Sequence, residues 1–137
     1  MSVQRWTSLR TAARIILAAA FLAAGFLHLA VPEPFVGITP GWVPVPGQVV
    51  RWTGLAEIAG ALGLMIPRAR QAAGIGLALY SICVFPANIK HAIDDLGSAA
   101  PLLGWAYHGP RLLFQPVIVW WALWAATVID WPFSRRA

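Results

Sequence analysis

The sequence predicts an all-α fold: a four-transmembrane-helix bundle with both termini cytoplasmic. Three observations predict it. Hydrophobic residues make up 59% of the chain and charged residues 11%, where a soluble domain carries roughly 25% charge. Four apolar segments are each about long enough to cross a hydrocarbon core of roughly 30 Å. The basic residues gather at alternate segment ends, the pattern that sets orientation in a bilayer. The 137 residues make one membrane domain, 1–137, and a mean hydropathy of +0.69 agrees.

The first segment covers about residues 11–31. Arg5, Arg10 and Arg14 lead into its apolar run as they would into a signal peptide, but no small-residue cleavage site follows. The run is therefore expected as a retained first helix. Residues 32–47 carry Pro32, Pro34, Pro40, Pro44 and Pro46 with three glycines. Fixed φ and missing donors are expected to forbid regular helix there. The loop's Phe35, Val36, Ile38, Trp42 and Val43 should lay it on the membrane surface or fold it back onto the bundle. The second segment spans about 48–66 and the third about 71–93, joined by the tight basic turn Pro67-Arg68-Ala69-Arg70. A looser loop, acidic at its start, covers 94–109 and leads to the fourth segment at about 110–129.

Arg5, Arg10, Arg14, Arg68, Arg70, Arg135 and Arg136 fall on one side, which should be cytoplasmic. Glu33, Asp94 and Asp95 fall on the other, with Arg51, Lys90 and Arg111 just inside helix ends. Trp6, Trp120, Trp121, Trp124, Trp131 and Phe133 would belt the inner interface, and Trp42, Trp52 and Trp105 the outer one. Small residues mark the packing faces: Gly54, Ala56, Gly60, Ala61 and Gly63 in the second segment, Ala72, Ala73, Gly74, Gly76 and Ala78 in the third. Pro86 should kink the third helix, since it leaves the Ile82 carbonyl without its donor.

The net charge of +5 reads as topology and head-group contact, so nucleic acid is not an expected partner. The single cysteine, Cys83, makes no internal disulfide, CxxC pair or thiolate metal site.

The chemistry lies in polar residues at membrane depth. They are His28 in the first segment, Arg51 and Glu57 in the second, Asn88, Lys90 and His91 in the third, and Arg111 and Gln115 in the fourth. An ionisable group there costs at least about 2.5–3.5 kcal/mol, so such groups face partners or water. All lie toward the outer ends of their segments, with Glu57 deepest. Asn88 and His91 share a helix face, as do Arg111 and Gln115. The expected result is a pocket that opens outward, polar in its outer half and closed at the cytoplasmic end. Glu57 is either a structural anchor, paired with an arginine such as Arg111 or hydrogen-bonded as the neutral acid, or acts on a ligand or proton. Asn88 should satisfy backbone groups freed by Pro86, and Lys90 should snorkel to the interface. Two histidines also raise haem ligation by His28 and His91, and a metal site from His28, Glu57 and His91. Neither is the expected reading, and no metal is assigned.

Four stretches match a known pattern: Ala24-Gly25-Phe26-Leu27-His28, Thr53-Gly54-Leu55-Ala56-Glu57-Ile58-Ala59-Gly60, Phe85-Pro86-Ala87-Asn88-Ile89 and Arg111-Leu112-Leu113-Phe114-Gln115. In this order and spacing the chain resembles the DoxX family of small bacterial integral membrane proteins, from about Arg14 to Trp121. Many relatives read Arg-Leu-Pro-x-Gln in the last stretch. Leu113 replaces that proline here, so the fourth helix should start more regularly. The resemblance implies a multi-pass protein of the bacterial plasma (inner) membrane. It also implies a polar centre of His28, Glu57, Asn88, Arg111 and Gln115, the residues that depth picks out, to which depth adds His91. Some members look like the small subunits of thiosulfate:quinone oxidoreductase, and others associate with thiol-stress enzymes.

Three readings follow. In the first, the chain is a redox-associated accessory subunit rather than a self-sufficient enzyme. Its outward pocket takes a quinone or similar small ligand, with no cofactor held covalently. Its partners are the lipid bilayer and a soluble or membrane oxidoreductase, and a homo-oligomer is left open. In the second it is a proton-coupled transporter or a small-molecule or lipid binding protein, with Glu57 as coupling acid and Pro86 as hinge. In the third the polar network only specifies helix pairing.

Overall fold

A computed structural model describes residues 3–131. Phe133, Arg135 and Arg136, three of the residues placed on the cytoplasmic side above, lie outside the described residues. The chain is all-α, with no strand among the described residues. The elements are α1 (Val3–Ala30), α2 (Glu33–Ile38), α3 (Pro46–Met65), α4 (Arg70–Leu96) and α5 (Gly104–Ala125). The four long helices pack in a ring in the order α1, α3, α4, α5, and α5 closes back on α1. The most extensive packing is within the two hairpins, α1 on α3 and α4 on α5.

Two expectations about the connections are corrected. The proline-rich stretch is not free of helix: α2 forms within it. Pro34 sits in the first turn, where its missing N–H has no intrahelical acceptor to lose. The stretch folds back, so that α2 touches α3 and α4, and the Lys90 ammonium donates to the Gly37 carbonyl at 3.0 Å. Lys90 thus pins α2 to α4 rather than simply snorkelling. The second correction concerns α5, which begins at Gly104 and shortens the 94–109 loop to 97–103. Pro110 and Pro116 lie inside the helix without ending it.

The Asp95 carboxylate accepts from the backbone N–H groups of Leu102, Leu103 and Gly104, at 2.9, 3.2 and 3.0 Å. It therefore supplies the helix start with partners that no local side chain provides. α5 also ends four residues before the expected position. The Val128 N–H bonds the Leu123 carbonyl at 2.9 Å, with Thr127 left-handed at φ 63. This is the Schellman arrangement, which normally has glycine at that position. Thr127→Gly is accordingly expected to stabilise the fold by about 1 kcal/mol, read as a higher melting temperature in detergent. An unchanged or lower value would contradict the strain.

The core is built from small and medium side chains: Leu17, Ala18, Phe21, Ala61, Leu64, Leu77, Ala78, Ala122, Ala125 and Ala126. Gly54, Gly63 and Gly74 are buried as the packing pattern requires, but Ala56, Ala72 and Gly76 are exposed. The outside is apolar on all four long helices. Ile15, Ile16 and Phe26 on α1, Leu55 and Leu62 on α3, Ile75, Leu79 and Ile82 on α4, and Leu113 and Phe114 on α5 are all exposed. Two stretches, Arg5–Ala30 and Arg70–Leu96, are long and apolar enough to cross a membrane by length and composition. α3 and α5 carry Arg51, Glu57, Arg111, Gln115 and five tryptophans between them, which lower their mean hydropathy.

Candidate polar centre

The six candidate residues do not meet in one place. The structure sorts them into three sets, one in the α1–α3 hairpin and two in the α4–α5 hairpin.

The first set exists because α1 and α3 touch backbone to backbone. A Cβ on Gly25 would lie 2.6 Å from the Gly54 carbonyl oxygen, and one on Gly54 would lie 2.9 Å from the Gly25 oxygen. One helical turn on from these glycines stand His28 and Glu57. His28 Nδ1 lies 2.9 Å from Glu57 Oε2 and 2.9 Å from the Ala24 carbonyl oxygen. The Nδ1 hydrogen is directed at the carbonyl. Glu57 Oε2 is therefore at ion-pair distance but receives no hydrogen bond, although it is fully buried. Two aromatic side chains complete the set. Phe35 of α2 stacks on the His28 ring with centroids 3.8 Å apart. Tyr80 of α4 interacts with both Glu57 and Thr53, and the Thr53 hydroxyl donates to the Val50 carbonyl at 2.7 Å.

The expected Glu57–Arg111 pair is not formed. Arg111 Nη1 donates instead to His91 Nδ1 at 2.7 Å. A guanidinium cannot accept, so His91 carries its ring hydrogen on Nε2. Glu57 and Arg111 are separated because α3 packs on α1 far more extensively than on α4, and has no substantial contact with α5.

The second set joins α4 to α5 beside Pro86. Asn88 Nδ2 donates to Gln115 Oε1 at 3.0 Å, and Gln115 Nε2 donates to the Ser81 carbonyl. The Ser81 hydroxyl in turn donates to the Leu77 carbonyl at 2.8 Å. The reading of Asn88 is corrected here, since it donates to Gln115 of the neighbouring helix rather than to the carbonyl freed by Pro86, and Gln115 in turn donates to the Ser81 carbonyl. Asn88 holds Gln115 in place.

The third set lies beyond it. The His91 ring meets Tyr107 and His108 edge-on, with centroids 6.2 and 4.9 Å away. The Arg111 guanidinium lies 5.6 Å from the Tyr107 ring centroid. His108 is fully buried. Its Nε2 is 3.1 Å from Asp95 Oδ2, while its Nδ1 has no partner. Asp95 thus ties the start of α5 to the third set.

Tyr80 and His108 escape sequence reasoning. His108 falls in a stretch taken as loop. Once α5 is known to start at Gly104, His108, Arg111 and Gln115 follow the spacing of one helical stripe. Tyr80 sits in an apolar run with no spacing that marks it.

Chemically, the first set brings titratable groups together at depth. It combines an acid, an imidazole and a phenol, with one carboxyl oxygen lacking a donor, and the third set likewise joins an acid, two imidazoles and a phenol, with His108 Nδ1 unpartnered. The second set is saturated by its own hydrogen bonds. A shallow cavity of ≈ 320 Å³ lies nearby, lined by Pro40, Trp42, Pro86, Ile89, Lys90 and Ile93, and none of the six candidates lines it.

Comparison with curated proteins gives no match, and neither does comparison with solved structures. A family model described as a domain of unknown function (DUF8561) matches residues 17–126. That span holds all six candidate residues and most of the four long helices. The chain belongs to the DUF8561 family.

Proposed function

We propose that the chain is a four-span protein of a bacterial plasma membrane, with both termini cytoplasmic. Its His28–Glu57 centre takes the polar head of a quinone or a similar small ligand. The reading is that of an accessory subunit to an oxidoreductase, as the resemblance to the DoxX family implies. Four spans are supported by the apolar exterior of all four long helices, since soluble monomers rarely expose contiguous apolar surface of that extent. Orientation is supported by Arg10, Arg14, Arg68 and Arg70 at one end against Glu33, Asp94 and Asp95 at the other.

The observation that carries the ligand reading is the buried Glu57 Oε2 without a donor. An acceptor left unsatisfied at depth costs roughly 1–3 kcal/mol. A ligand hydroxyl would supply the donor, with the Tyr80 hydroxyl already bonded to Glu57 beside it. Phe35 stands over His28, so entry requires α2 to move. Its tether through Lys90 to Gly37 is partly exposed and offers such a gate.

A second reading has an observation of its own. Phe35 packs directly on His28, as a lid on a closed structural pair would. The test is the melting temperature of the detergent-purified protein with and without quinones, for the wild type and for Glu57→Gln. The ligand reading expects a quinone-dependent rise in the wild type that a folded Glu57→Gln lacks. No rise with any quinone, together with a strongly destabilised Glu57→Gln, would leave Glu57 as a helix-pairing residue.

A further inference from the structure

From the sequence, the opposite, cytoplasmic end is expected to be closed. A cavity of ≈ 260 Å³ opens there instead, between the start of α1, the start of α4 and the end of α5. Arg10, Arg14 and Arg70 line it, with Thr11, Thr127 and Trp124. Basic residues at such an end are ordinarily solvated or snorkelling, but these converge. Arg14 is only 7% exposed, and both Arg70 and Arg10 act on it as like charges.

Each guanidinium is oriented by a fixed partner. Arg14 Nε donates to the Ala125 carbonyl at 2.9 Å, and Arg70 Nε donates to the Leu64 carbonyl at 3.2 Å. These carbonyls belong to the last turns of α5 and α3, where carbonyls lack intrahelical donors. With Nε engaged, the terminal nitrogens of both side chains remain for the cavity. Neither Arg14 nor Arg70 pairs with a carboxylate among the described residues. Arg10 lies over the Trp124 ring at 4.9 Å and pairs with Asp130 at 2.7 Å, a carboxylate whose side chain is 56% exposed. Three cations therefore face one solvated acid. Thr127 also borders the cavity, with its hydroxyl donating to the Ala126 carbonyl.

We propose that this cavity binds a phosphate group. Guanidinium forks match phosphate oxygens two at a time, the Thr11 hydroxyl can donate to a remaining oxygen, and a bound dianion or monoanion offsets the repulsion within the cluster. The phosphate is that of an anionic lipid head group or of a free phosphate compound. The lipid source rests on the cytoplasmic placement proposed above. The site as such does not depend on the quinone reading, whose residues lie at the other end.

The test uses the full chain in neutral detergent at constant ionic strength. Binding of radiolabelled inorganic phosphate is measured, and in parallel the retention of phosphatidylglycerol against phosphatidylcholine by native mass spectrometry. Saturable binding of about one probe per chain is expected, weakened by at least about tenfold in Arg70→Gln and unchanged in Arg68→Gln, an exposed neighbour. Thr11→Val gives a second, milder variant in case the first unfolds, and melting curves verify folding in both. Phosphate binding assigns a free ligand, and selective phosphatidylglycerol retention without phosphate binding assigns the lipid head. Absence of saturable binding by both probes overturns the proposal. So does equal weakening in Arg70→Gln and Arg68→Gln, which would reduce the effect to diffuse charge.

Discussion

Replacing His28 with leucine is expected to destabilise the fold by about 3–5 kcal/mol, the usual loss when a buried acid is stripped of its partner. The Glu57 side chain is 5% exposed and that of His28 13%. Without His28, Glu57 keeps its depth but loses the side chain that stands at ion-pair distance from it. Replacing both residues with leucine is expected to recover most of the loss, because the buried charge goes with its partner. Reversible unfolding in mixed micelles, followed by tryptophan fluorescence, reads this cycle. If the double variant is no more stable than His28→Leu, the two side chains are not coupled and the pair is a coincidence of packing. The double variant also separates stability from function: it should fold well and show no quinone effect.

The second large effect concerns glycine. Gly54→Ala places a Cβ 2.8 Å from the His28 Cβ and 2.9 Å from the Gly25 carbonyl oxygen. A helix backbone cannot yield as a flexible side chain can, so α1 and α3 must separate. The expected cost is about 1–3 kcal/mol, together with a longer His28–Glu57 distance. Gly76→Ala makes the same chemical change on α4, where nothing lies within 4 Å. It is expected to be neutral, or to stabilise by up to about 1 kcal/mol through the better helix propensity of alanine. Melting temperatures of the two variants compared side by side check this. Equal effects would mean that the Gly25–Gly54 approach is not what positions the site.

Much of the frame was legible in the sequence. Long apolar runs announce helices whatever their neighbours, and α3 and α4 lie within about three residues of where hydropathy put them. Hydropathy locates the part of a helix suited to lipid rather than its hydrogen-bonded end, which is why α1 begins at Val3 and α5 at Gly104. α2 was hidden because Pro34 reads as a breaker, although a proline in a first turn breaks nothing. Depth picked out His28, Arg51, Glu57, Asn88, Lys90, His91, Arg111 and Gln115; all but Arg51, which is exposed, have a polar neighbour within the bundle or at its edge. The partners themselves were not legible. Glu57 was matched to Arg111 by charge alone, whereas its partner is decided by which helix faces α3. That choice depends on the Gly25–Gly54 contact, and a sequence shows two glycines without showing that they touch. Arg14 illustrates the same limit, since its spacing marks a helix entrance and only the fold reveals that it is buried.

The sorting of polar groups by hairpin has a consequence for biogenesis. His28 and Glu57 meet within α1–α3, and Asn88 with Gln115, His91 with Arg111 and Asp95 with His108 all meet within α4–α5. On the proposed placement, each hairpin can leave the insertion machinery with its main polar pairs already made. Neither half has to wait in lipid with these groups bare, which is the costly state for such groups in a bilayer. What remains for the meeting of the halves includes the Tyr80 contact, the Arg14 and Trp121 bonds across α1 and α5, the Arg10–Asp130 pair, the Lys90 tether to α2, and the apolar core. Assembly of this protein is then a docking of two units, each with most of its polar pairs made within itself, across the turn at 67–69.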